Sequence, residues 1–180
     1  MDTLLEGKNK GSEMKTRDIT YTAIFTALTI VGAQIAIPIG QVPVTLQIFF
    51  VLLSGLVLGA RLGFLSQALY LLMGAMGLPV FAGLTGGFAY IYGPTGGYLI
   101  AFPVAAFLVG WISKRRSSTL LNLVASLAGI AVIYIFGWLR LGLFMNDFKK
   151  AFIVGVVPFV LIDLIKAGIA VTAANKLKKQ

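Results

Sequence analysis

Six apolar runs constrain this chain more than any other feature. They cover about residues 19–37, 44–60, 62–80, 95–113, 119–139 and 151–174. Crossing the hydrocarbon core as a helix takes roughly 20 such residues. The runs are too long for barrel strands and lack the strict apolar/polar alternation such strands need. Of the 180 residues 58% are hydrophobic and only 12% charged, more apolar surface than a soluble domain of this size can cover. The expected fold is an all-α membrane protein with six transmembrane helices. Residues 1–13 are polar, lack the apolar centre of a signal peptide, and precede a second methionine, Met14. They read as an added or disordered leader, with 14–180 as a single transmembrane domain.

The charges give the topology. A net charge of +9 suggests nucleic acid, but the cations cluster just outside the apolar runs, as topology signals do. Lys15, Arg17, Arg61, Lys114, Arg115, Arg116, Lys176, Lys178 and Lys179 fall on one face of a six-span chain; only Arg140, Lys149 and Lys150 fall on the other. The majority face is expected to be cytoplasmic, with both termini on it. The chain has no cysteine and no histidine. Thiol and imidazole chemistry are therefore excluded, and no ordinary zinc or haem ligand set is left. No metal and no cofactor is expected.

Asp163 and Lys166, in "LIDLIKAG", stand about midway along the last run. Three residues apart, they share one side of a helix. A charge at that depth costs several kcal/mol, so the pair should face the protein interior. Either the two charges only satisfy each other, or they bind a ligand. Carboxylate and ammonium together suit a neutral group with both N–H and C=O, such as an amide or urea. The small neighbours Ala167, Gly168 and Ala170 should leave room beside them, and Pro158 should bend the helix just before them.

Three further stretches carry features beyond helix. The connection from Gly74 to Gly97 holds eight of the 21 glycines and the aromatics Phe81, Phe88, Tyr90 and Tyr92, with Tyr98 following. It reads as an aromatic belt with turn glycines, or as a lid over a pocket, because irregular backbone at membrane depth must be covered by protein or line a cavity. "GQVPVTLQ" places Thr45 and Gln47 at the outer end of the second span, as helix caps or as polar contacts. Ala23/Ala27 and Gly55/Gly59/Gly63 are spaced for close helix contact, within the chain or, for the alanine pair, on another membrane protein. No second carboxylate joins Asp163 inside a span, so an enzyme is not expected, and no run of polar groups suggests a channel.

The run "PVTLQ", the block "GLPVFAG" to "GGFAYIYGPTGGYLIAF" and the late Asp-x-x-Lys together resemble the BioY family, the biotin-specific substrate-binding (S) components of energy-coupling factor transporters. The resemblance runs from Met14 almost to the end. It implies the S-component fold and high-affinity biotin capture in the outer half of a prokaryotic plasma membrane. It also implies a transmembrane coupling subunit and two ATPase subunits as partners, which hydrolyse the ATP. On this resemblance Asp163 would accept from the ureido N–H groups and Lys166 would donate to the ureido oxygen. In the opposite orientation Lys166 holds the carboxylate. Val42, Phe81, Phe88 and Tyr98 are candidate walls, and Thr45, Gln47, Gly86, Gly87 and Asn146 candidate polar contacts. Arg140, set apart from the charge majority, is the candidate carboxylate partner, with Lys149 and Lys150 competing. Ala23 and Ala27 resemble the docking motif of such S components. The alternatives are another vitamin in the same fold, or a structural membrane subunit with no ligand.

Overall fold

The structure, a computed structural model, describes residues 14–38, 42–113 and 118–178. The leader, Gly40, Lys114 to Arg116 and Lys179 lie outside the described residues. In chain order the elements are α1 (Thr16–Gln34), β1 (Ala36–Ile37), β2 (Val44–Thr45), α2 (Gln47–Ala75), α3 (Phe88–Ile91), α4 (Gly96–Ser113), α5 (Thr119–Met145), α6 (Phe148–Gly155) and α7 (Val157–Leu177). Helices dominate because lipid offers no partner for an open backbone N–H or C=O.

All six runs fall on helices, and five of them differ in their bounds from the sequence expectation. The second and third runs form one element, α2, which reverses at Gly59. There φ is +79° and ψ −178°, a conformation that glycine alone adopts readily. The legs 47–58 and 60–75 then lie antiparallel. Gln67 reaches Ser54, and a Cβ on Gly63 would stand 3.1 Å from the Gly55 Cα. The glycines at the corner are thus used within the chain. Gly110 of α4 closes on the same corner, where a Cβ would come within 2.3 Å of the Ala60 nitrogen.

The third run was expected to continue to residue 80, but α2 stops at Ala75. Gly77, at φ +97°, ends it: its N–H bonds the Gly74 carbonyl at 3.0 Å and the Leu78 N–H bonds that of Met73 at 3.2 Å. The first run stops at Gln34 and the second begins at Gln47. Pro38 and Pro43 disfavour helix at the residues before them, and the strands pair antiparallel instead, Ala36 with Thr45 and Ile37 with Val44.

The fifth run continues past residue 139 to Met145 because Arg140 does not end it. Its guanidinium leaves the helix surface and donates to the Tyr92 and Gly93 carbonyl oxygens. Asn146, left-handed at φ +52°, terminates α5. The last run is broken at Val156 between α6 and α7, with Pro158 in the first turn of α7. Proline is tolerated there because the first-turn N–H groups have no helical partner.

Four helical stretches are long and apolar enough to cross a membrane: Gln47–Ala75, Gly96–Ser113, Thr119–Met145 and Phe148–Leu177. α2 packs on α1, α4 and α7, and α5 joins α4 to α6 and α7. The α2 corner, the end of α4, the start of α5 and the end of α7 gather at one end of the bundle. The strand pair and the third connection lie at the other.

Candidate functional site

The site is a cavity at the strand end of the bundle. Its polar centre is the ion pair from α7. The Lys166 ammonium donates to Asp163 Oδ1 at 2.8 Å and to the Thr45 carbonyl oxygen at 2.7 Å. The Tyr134 hydroxyl, from α5, donates to Asp163 Oδ2 at 2.7 Å. Asp163 is 1% exposed and Lys166 8%, so both charges are removed from water and held by three elements. Their bonding capacity is not exhausted. An ammonium carries three donors and two are engaged; each carboxylate oxygen accepts one of these bonds and has a second lone pair free. The pair therefore offers one N–H and further acceptor positions to the cavity it lines.

Around that centre the walls are apolar. Val42, Pro43 and Ile48 come from the first connection and the start of α2. Ala82 and Tyr90 come from the third connection, Tyr98, Leu99 and Phe102 from α4, and Phe159 from α7. Tyr98 presents its ring while its hydroxyl donates to the Gly155 carbonyl at 2.7 Å, at the break between α6 and α7. Gly137 makes room for that ring: a Cβ there would stand 2.2 Å from it. Thr45 and Gln47 also line the cavity, but their side chains are engaged. The Thr45 hydroxyl donates to Gln47 Oε1 at 2.8 Å, and the Gln47 amide donates to the Tyr70 hydroxyl.

Several residues singled out in the sequence stand elsewhere. Phe81 is wholly buried one layer behind the wall, stacked on Tyr90 and edge-on to Tyr70. Phe88 is 63% exposed and packs on Tyr92. Gly86 sits against the Leu78 carbonyl, where a Cβ would be 2.1 Å from the oxygen, and Gly87 starts α3 at φ +102°. Asn146 caps α5, Arg140 binds loop carbonyls, and Lys149 and Lys150 are exposed on α6; none of these lines the cavity. Ala167 and Ala170 are buried against neighbouring helices and Gly168 faces outward, so none of the three leaves room beside the pair as expected. Ala23 and Ala27 are exposed on α1.

Sequence reading named Tyr90 only within the aromatic block of the third connection and did not reach Tyr134, Phe102 or Phe159. Of the latter three, only Tyr134 carried a signal. A hydroxyl deep in an apolar run needs a partner, and the nearest charge at membrane depth was the aspartate.

The family model that matches this chain is that of the BioY family, over residues 7–180. The chain belongs to the BioY family. A protein of Pyrococcus horikoshii named as a probable biotin transporter BioY is 52% identical, over 92% of this chain and 98% of its own. The biotin transporter BioY of Thermotoga maritima is 48% identical over 91% and 96%. The crystal structure of an S-component for biotin from an ECF-type ABC transporter superposes with a TM-score of 0.87 and 31% identity, covering 93% of this chain and 96% of that one. Among the described residues of this BioY chain no cluster of three or more acidic, histidine or cysteine side chains could hold a metal ion.

Proposed function

We propose that this BioY chain captures biotin in the membrane as the substrate-binding component of an energy-coupling factor transporter. One observation carries the assignment: a buried Asp163–Lys166 pair, fixed by Tyr134 and the Thr45 carbonyl, lines a cavity whose other walls are apolar. Biotin has two ureido N–H groups, a ureido carbonyl, an apolar thiophane ring with an aliphatic tail, and a carboxylate. Asp163 accepts from the ureido N–H groups, and the third proton of Lys166 meets the ureido oxygen. Val42, Tyr90, Tyr98, Phe102 and Phe159 enclose the thiophane and tail. The names of the relatives and of the solved S-component support the same ligand.

A second orientation is favoured by a specific observation. Lys166 is the one cation among the described lining residues, Arg140 being engaged with loop carbonyls. In that orientation Lys166 holds the carboxylate. Biotin methyl ester separates the two. Unchanged affinity for the ester places Lys166 on the ureido oxygen, and a large loss in the wild type that disappears in Lys166→Ala places it on the carboxylate.

The S-component role assigns ATP hydrolysis to two ATPase subunits and force transmission to a transmembrane coupling subunit. The exposed alanines Ala23 and Ala27 give α1 a flat face for the latter. The cation majority supports an orientation with both termini in the cytoplasm and the cavity toward the outer leaflet. Biotin binding by the purified chain without nucleotide tests the assignment. Asp163→Asn should weaken it markedly, since the amide loses the charge and turns an acceptor into a donor. Unchanged affinity in both Asp163→Asn and Lys166→Ala rejects the ligand role of the pair.

A further inference from the structure

At the end of the bundle opposite the cavity, a groove runs between the α2 corner and the ends of α4 and α7. Leu58, Phe107 and Trp111 form its apolar wall, and Arg61 and Lys178 stand over it from two different helices. Among the described residues neither cationic side chain has a hydrogen-bond or ion-pair partner, and none of the described groove-lining residues carries a carboxylate. The one described acid at this end, Asp18, accepts from the Lys15 backbone N–H at the start of α1. Partial burial pushes the Lys178 ammonium below the ordinary lysine value, as expected of a cation drawn over an apolar wall with no anion beside it.

Arg61 and Lys178 line the same groove without a described ion-pair partner, and an anion bound there would pair with both. The place of the groove selects the anion. It lies where α4 and α7, both apolar enough to span, come to an end, at the level of lipid headgroups. A tryptophan there sits in the interfacial zone such side chains prefer. Free phosphate would satisfy the cations but leave Leu58 and Phe107 uncovered; a glycerophospholipid covers both.

We propose that this groove binds an anionic phospholipid, its phosphate between Arg61 and Lys178 and the first carbons of an acyl chain along Phe107 and Leu58. The lipid cements the α2 corner to the ends of α4 and α7, independently of the cavity at the other end.

The test uses tryptophan quenching. The chain has two tryptophans, and Trp138 lies away from the groove, so Trp138→Phe leaves Trp111 as the sole reporter. The purified protein in neutral micelles is titrated with brominated phosphatidylglycerol or brominated phosphatidylcholine. The expected result is saturable quenching by phosphatidylglycerol at an about fivefold or more lower mole fraction. That preference should vanish in Arg61→Gln/Lys178→Gln and persist in Lys176→Gln, whose side chain lines a different groove. Equal quenching by the two lipids overturns the proposal, as does a preference kept in the double variant. Equal loss in Lys176→Gln reassigns the effect to diffuse surface charge and also overturns it. Relief of quenching by glycerol 1-phosphate at matching concentration would show that a free phosphate suffices, against the lipid. Should the double variant fold poorly, the single variants Arg61→Gln and Lys178→Gln in the Trp138→Phe protein take its place, and an undiminished preference in both overturns the proposal.

Discussion

Asp163 and Lys166 are a buried ion pair, and in the proposed reading the same pair holds the ligand. Removing one partner leaves the other charged and unpaired, at a cost of about 3–5 kcal/mol, whereas replacing both by apolar groups of similar size is often neutral. Lys166→Ala alone should therefore lower stability strongly. The double variant Asp163→Leu/Lys166→Met should recover most of it and still fail to bind biotin. Thermal unfolding in detergent with and without biotin reads both effects. A double variant that binds biotin normally would leave the pair with a structural role only. Tyr134 acts through Asp163, so Tyr134→Phe should weaken biotin about tenfold by releasing one carboxylate oxygen, as titration calorimetry would report. Affinity equal to wild type would remove Tyr134 from the site. The spacing of Asp163 and Lys166 made the pair readable in the sequence. The other two supports were less readable, Tyr134 carrying only the signal of a hydroxyl inside an apolar run. Tyr134 is one aromatic among many in an apolar helix, and the Thr45 support is a backbone carbonyl, which no side-chain pattern reveals. Arg140 was misleading for a physical reason: a cation on the minority face looks like a ligand partner until its loop carbonyls are seen.

At the scale of elements, glycines set the close approaches. Gly59 reverses α2, and Gly59→Ala places a side chain in a conformation that costs about 1–3 kcal/mol. A melting temperature lower by several degrees is expected; no change would mean that the corner relaxes without cost. Gly137 holds the Tyr98 ring, so Gly137→Ala should displace that wall and reduce biotin affinity while leaving the fold intact by circular dichroism. Retained affinity would show that Tyr98 is not a working wall. The corner of α2 was legible because "GARLG" interrupts two apolar runs. The strand pair was not, since two residues per strand carry no periodicity. The end of α2 at Ala75 was hidden by the apolar residues after Gly77, which continue the hydrophobic pattern without continuing the helix.

For the whole molecule, the cavity and the described chain ends lie at opposite ends of the bundle, and α1 exposes its alanines along one side. On the proposed reading, ligand capture and partner docking use different surfaces. Ala27→Leu should impair assembly with the coupling subunit and biotin uptake by cells, yet spare binding by the isolated chain. Lost binding with intact assembly would reverse the assignment of that face. The central claim is that this chain alone recognises biotin. Calorimetric titration of the purified protein with biotin, without nucleotide or partner subunits, tests it most directly. Saturable binding at one site per chain, greatly weakened in Asp163→Asn, is the predicted result; a protein that is folded and monodisperse yet shows no binding to biotin would contradict it.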